Sequence, residues 1–186
     1  MQRLVSDLLL FSRIGSEGRR LEPVDSAQVL NEVLDSLEVT IQEAGAQVEH
    51  GPLPHVSADP GQLAQVLQNL VGNAIKFRAQ LAPVVRVTAT REAASIWRFA
   101  VSDNGIGLDM KYAERVFKMF QRLHERDRYD GSGIGLAISK RIIERHHGTM
   151  WLESEAGQGT TVYFTLRGAD SPPVAEPPAT EPAGAS

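Results

Sequence analysis

Helical and strand-like patterns alternate along most of this chain, which predicts a mixed α/β domain. Three observations carry that prediction. Apolar residues recur at helical spacing in two stretches, each opened by a capping aspartate, at 29–41 and 63–74. Residues 84–91 and 97–101 alternate, are rich in β-branched side chains and read as strands. Two glycine clusters follow the strands, Asp103-Asn104-Gly105-Ile106-Gly107-Leu108 and Gly131-Ser132-Gly133-Ile134-Gly135-Leu136.

In chain order, residues 1–15 place Leu4, Leu8 and Phe11, with Val5 and Leu9, at helical spacing. Isolated helices under about 12–15 residues are marginal in water, so this one must pack on something. Gly15-Ser16-Glu17-Gly18 ends it. Residues 20–24 suit a short strand. Asp25 is a helix N-cap with Gln28 as its capping-box partner. Val29, Leu30, Val33, Leu34, Leu37 and Ile41 continue one buried face behind it. Short strands fit 47–50 and 55–58. Asp59-Pro60 is a second N-cap, with proline at the first helical position. Its helix runs to about Lys76. Helices are also expected over 111–122 and 136–147, the second closed by Gly148 after its C-cap. A hairpin, 149–153 with 160–166, turns across Gly157-Gln158-Gly159. Trp97 and Trp151 lie in strand patterns and are assigned to the core. The domain proper is 19–167. Residues 168–186 are mostly Pro, Ala, Glu and Ser, and are expected to be a disordered tail.

Composition narrows the functional classes. A chain of 186 residues with 42% hydrophobic and 23% charged residues is an ordinary globular protein, long enough for one real core. A net charge of -4 argues against broad nucleic-acid binding. The absence of cysteine excludes disulfides and thiolate-zinc sites and fits a reducing cytoplasm. No apolar run reaches the length of a membrane span. Residues 1–15 lack the features of a signal peptide, so a cytoplasmic location is expected.

The chemistry concentrates in three places. On the helix that begins at Pro60, Asn69, Asn73 and Lys76 fall within an arc of about 60°. An amide oxygen suits Mg²⁺, and a lysine supplies a point charge for phosphate. The same stripe, taken alone, is also the solvated face of a surface helix. Asp103 stands at a strand end before Asn-Gly-Ile-Gly, where a carboxylate can accept from an adenine amino group. Alone, it is also an ordinary Asp-Asn-Gly turn. The second glycine cluster opens a helix, whose first amides make a phosphate seat. Such glycine-rich turns into helices are common as well. No GxxxxGK[ST] string occurs, so the arrangement is not a Walker loop. His146 and His147 do not share a helix face and make a poor metal pair. In the last turn they are expected to complement the helix dipole.

In order and combination the signals are more specific. N-x-x-x-N-x-x-K at 69–76, DNGIGL at 103–108, VFKMFQR at 116–122, GSGIGLAISKRIIERHHG at 131–148 and GQGT at 157–160 form one series. It closely resembles the N box, first glycine box, F box, and second and third glycine boxes of the catalytic ATP-binding domain of sensor histidine kinases. That family lies in a superfamily with gyrase, Hsp90 and MutL. The resemblance implies an α+β fold, a two-layer sandwich with a mixed sheet packed on helices (the Bergerat-type ATP-binding fold). It implies ATP and Mg²⁺ as cofactors. Asp103 would bind the adenine amino group and Asn73 the Mg²⁺. Asn69 would lie beside the phosphates, Lys76 would contact them, and Arg122 would reach the γ-phosphate. Gly105, Gly107, Gly131, Gly133 and Gly135 would shape the lid and phosphate seat. Leu136 completes the nucleotide-binding set, and Thr160 would line the adenine end. Phe117 and Phe120 match the aromatics that dock the lid.

Residues 1–15 resemble part of the second helix of the kinase dimerisation hairpin. No histidine here sits in the family's H-E/D-x-R-x-P-L string. The resemblance therefore implies that γ-phosphoryl transfer goes to a histidine outside this chain. The implied partners are histidine-bearing dimerisation helices and a response regulator, within a homodimeric longer protein. Two alternatives share the ATP site: a nucleotide-binding interaction module without phosphotransfer, and an anti-sigma-type serine kinase.

Overall fold

The computed structural model describes residues 21–118 and 133–169. The helix expected in 1–15, the tail beyond Ala169, and Phe120, Arg122 and Gly131 lie outside the described residues. Chain order gives β1 (Glu22–Asp25), α1 (Ser26–Ser36), α2 (Glu38–Ala44), β2 (Gln47–His50), β3 (His55–Ala58) and α3 (Pro60–Lys76). Then come β4 (Val84–Ala93), β5 (Ile96–Asp103), a 3-10 turn at Met110–Tyr112 and α4 (Ala113–Val116). After residue 132 follow α5 (Gly135–Arg145), β6 (Met150–Glu155) and β7 (Gly159–Arg167).

Among the described residues five strands make a mixed sheet in the order β2-β4-β5-β7-β6. β2 runs parallel to β4, and the remaining pairs are antiparallel. β1 and β3 form a separate antiparallel pair. Alternation in the strands sends one set of side chains to a common face. Val87 pairs with Val101, Val101 with Val162, and Val162 with Leu152, a buried file crossing four strands. Phe99 stacks on Phe164 beside it, ring centroids 4.9 Å apart. Leu30 of α1, Leu67 and Leu70 of α3, and Ile138 and Ile142 of α5 close the core from the helical layer. This is the α+β two-layer arrangement with an open mixed sheet.

Trp97 is on the inner face opposite Leu166 and packs on the core. Trp151 is not core. It stacks on Tyr163 across the other face of the sheet, at 5.3 Å. Its neighbours in β6, Met150 and Leu152, take the buried positions that a strand can fill only on alternate residues.

The caps explain where the helices start. Asp25 accepts from the amides of Ala27 at 2.9 Å and Gln28 at 3.3 Å. The reciprocal half of the expected capping box is not made, because the Gln28 amide donates to Glu32 at 3.0 Å. Asp59 accepts from the amide of Gln62 at 3.1 Å, with Pro60 at the first position. The helix expected to run unbroken through Ile41 is broken at Leu37. Ser36 donates its hydroxyl to the Val33 carbonyl at 2.7 Å, and the Leu37 amide is shared between Val33 and Leu34. A serine that competes for a carboxyl-side carbonyl of its own helix bends or ends it.

Of the helix expected over 111–122, the described part, 111–118, is a 3-10 turn followed by the short α4. Asp109 caps the turn through the Lys111 amide at 2.9 Å, and among the described residues of this stretch Ala113, Val116 and Phe117 pack on the core. At the far end of α5 the left-handed residue is His147, φ 59°, not Gly148. Its amide returns to Glu144, and that of Gly148 to Ile143, the two bonds of a Schellman turn. Gly148 serves a different need: a Cβ there would fall 2.0 Å from the Thr165 carbonyl oxygen. Gly168 and Ala169, assigned by composition to the tail, belong to the fold. Gly168 bridges Val56, and the Ala169 amide donates to His55 at 3.0 Å.

Candidate functional site

The inner-face register delivers Asp103, the last residue of β5, to the end of the sheet beside β7. Its Oδ1 accepts from the Gly105 amide at 2.8 Å and the Thr160 amide at 3.2 Å. Among the described residues no hydrogen bond takes Oδ2. Burial pushes the carboxyl above its ordinary pKa, and the two amide bonds pull against that rise. One oxygen is thus anchored and the other is left to accept.

The surrounding loops close by backbone approach. A Cβ at Gly105 would fall 2.3 Å from the Phe77 carbonyl oxygen, and that carbonyl accepts the Ile106 amide at 3.0 Å. The turn after Asp103 is thereby pinned to the end of α3, next to Lys76. Gly107, φ 60°, lies where a Cβ would meet the Glu155 carbonyl oxygen at 2.0 Å. The Gly157 amide donates to Ile106 at 2.7 Å. Ser154 accepts from the Leu108 amide at 2.9 Å, donates to the Gly159 carbonyl at 2.8 Å and meets the Thr160 hydroxyl at 2.9 Å. That uses its one donor and both lone pairs. Asn104 joins the same turn to the start of β4, through the Val84 amide at 2.8 Å and the Ala82 carbonyl at 3.1 Å.

The second wall is α3 against α5. Asn69, Asn73 and Lys76 occupy one half-exposed stripe of α3, while Leu67, Leu70 and Ala74 point into the core. The Asn69 Nδ2 donates to Ser139 at 2.9 Å, and Asn73 Nδ2 reaches Asn69 Oδ1 at 3.4 Å. Lys76 lies over the Phe77 ring at 4.8 Å. Gly133 is left-handed, φ 69°, and Gly135 opens α5 directly against Asn69. Leu136 is half-buried on the core, and Phe117 lies beneath Lys140 at 5.2 Å.

The structure therefore joins Asp103, Gly105, Gly107 and Thr160 in one hydrogen-bonded corner. It joins Asn69, Asn73 and Gly135 in a second, linked to the first through Phe77. Arg122 and Gly131 fall in 119–132, outside the described residues. Ser139 and Ser154 were not singled out from the sequence. A serine within an apolar helical or strand pattern carries no mark of the partner that folding brings to it.

His146 departs from expectation. It is 2% exposed, and its Nε2 accepts the Asp59 amide at 3.0 Å. Its Nδ1 donates to the Ile142 carbonyl at 2.7 Å. Burial lowers its pKa, so the ring is neutral rather than a cation complementing the helix dipole. It joins the end of α5 to the start of α3. Among the described residues no cluster of acidic, histidine or cysteine side chains could hold a metal. No helix among them is long and apolar enough to cross a membrane.

Comparison with known proteins gives a consistent picture. Phytochrome-like protein Cph1 of Synechocystis is 45% identical over 166 residues, covering 89% of this chain and 22% of its own length. Sensor histidine kinase WalK of Bacillus subtilis is 31% identical over 172 residues, covering 89% of this chain and 28% of that protein. The chain thus spans between 22% and 28% of the length of these relatives. Among solved structures, full-length ShkA in complex with AMPPNP superposes with a TM-score of 0.77 at 32% identity, over 92% of this chain and 37% of that one. The mycobacterial sensor histidine kinase MprB gives 0.67 at 25% identity, over 80% and 97%. Residues 58–170 match the family described as histidine kinase-, DNA gyrase B-, and HSP90-like ATPase. Residues 58–170, from the end of β3 through β7 and holding both corners of the site, place this chain in that ATPase family, in the form carried by sensor histidine kinases.

Proposed function

We propose that the site binds ATP with Mg²⁺ and serves as the phosphoryl-donating domain of a longer, cytoplasmic sensor histidine kinase. The observation that carries this reading is the divided carboxylate of Asp103. With Oδ1 held by two backbone amides, Oδ2 is a fixed acceptor for the exocyclic amino group of adenine. Thr160 and the Gly105–Gly107 turn border the ring.

The α3 stripe fits the phosphate end. Asn73 has its Nδ2 turned toward Asn69, and among the described residues no hydrogen bond takes its Oδ1. A hard amide oxygen beside water and phosphate oxygens is what Mg²⁺ accepts. The metal would supply charge neutralisation for the phosphates. Asn69 orients Asn73, and Lys76 sits one turn on to meet phosphate oxygen. Arg122, Gly131, Gly133 and Gly135, with Leu136, complete the set by their place in the motifs. In the full protein an imidazole nitrogen of a dimerisation helix forms an N–P bond to the γ-phosphorus. The bond to the bridging oxygen breaks, and ADP leaves with the electron pair. The phosphoryl group then passes to an aspartate of a response regulator. Stabilisation of charge and position, rather than covalent chemistry, is this domain's contribution.

Incubating the chain with γ-labelled ATP and a separate histidine-bearing helical hairpin tests the reading. Label on the hairpin's histidine is expected. Tight nucleotide binding with no label on the hairpin would instead establish an interaction module, and label on serine the third alternative.

A further inference from the structure

Ser139 lies on α5 and is completely buried, yet it is a polar side chain in the apolar run Ala137, Ile138, Ile142, Ile143. Its hydroxyl accepts the Asn69 amide nitrogen at 2.9 Å, across 70 residues of chain. Gly135 sits one turn earlier on the same face of α5, since residues four apart are helical neighbours. A Cβ on Gly135 would fall 2.1 Å from Asn69 Oδ1. Both ends of one carboxamide are therefore held by α5: the nitrogen by a hydroxyl, the oxygen against a bare Cα.

That seating fixes which way round the amide sits. A Cα presents only C–H groups, which an oxygen meets favourably and an NH₂ does not. With Asn69 oxygen on that side, it faces Asn73 Nδ2 at 3.4 Å. Asn73 must then present its own oxygen away from Asn69. Were the Asn69 amide reversed, its NH₂ would face Asn73, whose oxygen would turn inward to accept. The outward group of Asn73 would then be an NH₂, which cannot ligate a cation.

We propose that Ser139 is a positioning residue: by taking the Asn69 NH₂ opposite the Gly135 Cα, it holds Asn69 in the seat that turns an oxygen of Asn73, not a nitrogen, toward the metal. The inference rests on the reading of Asn73 as the Mg²⁺ ligand. It adds a residue that touches neither nucleotide nor metal.

The test compares Ser139→Ala with Asn73→Ala by calorimetric titration of a non-hydrolysable ATP analogue, with and without Mg²⁺. For Ser139→Ala, affinity without Mg²⁺ should stay within about twofold, since the adenine corner is untouched. The enhancement given by Mg²⁺ should fall about fivefold, a loss of ~1 kcal/mol in coupling. Thermal unfolding of each variant confirms the fold. Ser139→Cys fills the site with a slightly larger group that is a weaker acceptor, and should lie between wild type and Ser139→Ala, which a cavity effect alone would not produce. The nitrogen-15 signal of the Asn69 side-chain NH₂, read without any nucleotide, should shift and exchange faster with solvent in Ser139→Ala. If Asn73→Ala loses the Mg²⁺ enhancement while Ser139→Ala keeps it, Ser139 does not position the ligand and the proposal fails alone. If neither variant changes the enhancement, the metal reading of Asn73 fails and takes the proposal with it. An unmoved Asn69 amide signal also overturns the proposal, including for a variant too unstable to titrate.

Discussion

The two corners of the site are built by opposite means. Around Asp103 the work is done by backbone: two amides on one carboxylate oxygen, and glycines at 105, 107 and 159 that let carbonyls approach to distances no Cβ would permit. Around Asn73 it is done by side chains, a hydroxyl and two carboxamides passed between α5 and α3. Backbone construction tolerates almost no substitution but holds one geometry. Side-chain construction can be rearranged by one altered hydrogen bond, and its failure alters chemistry before it alters fold.

Substitution separates the two modes most sharply at Gly107. Gly107→Ala places a Cβ 2.0 Å from the Glu155 carbonyl oxygen at φ 60°. Crowding costs roughly 1–3 kcal/mol, and the left-handed backbone adds strain of a similar order. Chemical denaturation should show a loss of several kcal/mol, together with lost nucleotide binding. A stability change under ~0.5 kcal/mol would mean that the corner yields easily.

Next in size is Asp103→Asn. The amide oxygen should take the anchored position, since two N–H groups point there. The NH₂ is then left facing the adenine amino group, donor against donor, at about 1–3 kcal/mol for an unpaired buried donor. At least tenfold weaker ATP-analogue binding is expected, with unchanged thermal unfolding. The raised pKa adds a signature. Protonation turns the acceptor into a donor, so wild-type affinity should begin to fall on acidification above the ordinary carboxylate range. Asp103→Asn should lack that step. Equal affinity of the two proteins at neutral pH would remove Asp103 from adenine recognition.

Asn73→Ala should act on one corner only. Binding without Mg²⁺ should persist, while the Mg²⁺ enhancement is lost. Retention of the full enhancement would move the metal ligand elsewhere.

The smallest effect expected is on stability and comes from the histidine that joins the helices. His146 has a folded pKa below its unfolded value near 6.5, so the unfolded chain takes the proton first. The stability contributed by the neutral ring is complete above pH 6.5. It is lost as pH falls from there toward the folded pKa. Denaturation midpoints of wild type and His146→Gln should converge across that window. Parallel midpoints would show that the ring does not stay neutral in the folded state.

Sequence conveyed what is local. Asp25 and Asp59 are legible caps because a cap is made with residues two or three positions away. The alternation of β4, β5 and β7 is legible because strand faces have period two. What escaped depends on partners distant in the chain. The parallel pairing of β2 with β4, the separate β1–β3 sheet and the outward stack of Trp151 on Tyr163 need the sheet order first. Gly148 looked like a left-handed cap because glycine usually is one. Here the Thr165 carbonyl claims it, and His147 takes the left-handed turn. The motifs made the site legible as a list of residues. The division of Asp103 into anchored and accepting oxygens, and the hold of Ser139 on Asn69, became visible only with β7 and α5 in place.

The His146 bond also bears on how the chain comes to be folded during synthesis. The start of α3 donates a hydrogen bond, through the Asp59 amide, to a ring 87 residues later. β3 receives Gly168 and Ala169, later still. As the chain leaves the ribosome at about 5–20 residues per second, α3 therefore waits several seconds for its last partner. During that wait its apolar face has no α5 to cover it. Bonds between such distant segments form late because long loops must close first. A chain stalled after β5 would present an amphipathic helix and an unfinished sheet edge, the kind of surface that chaperones shield.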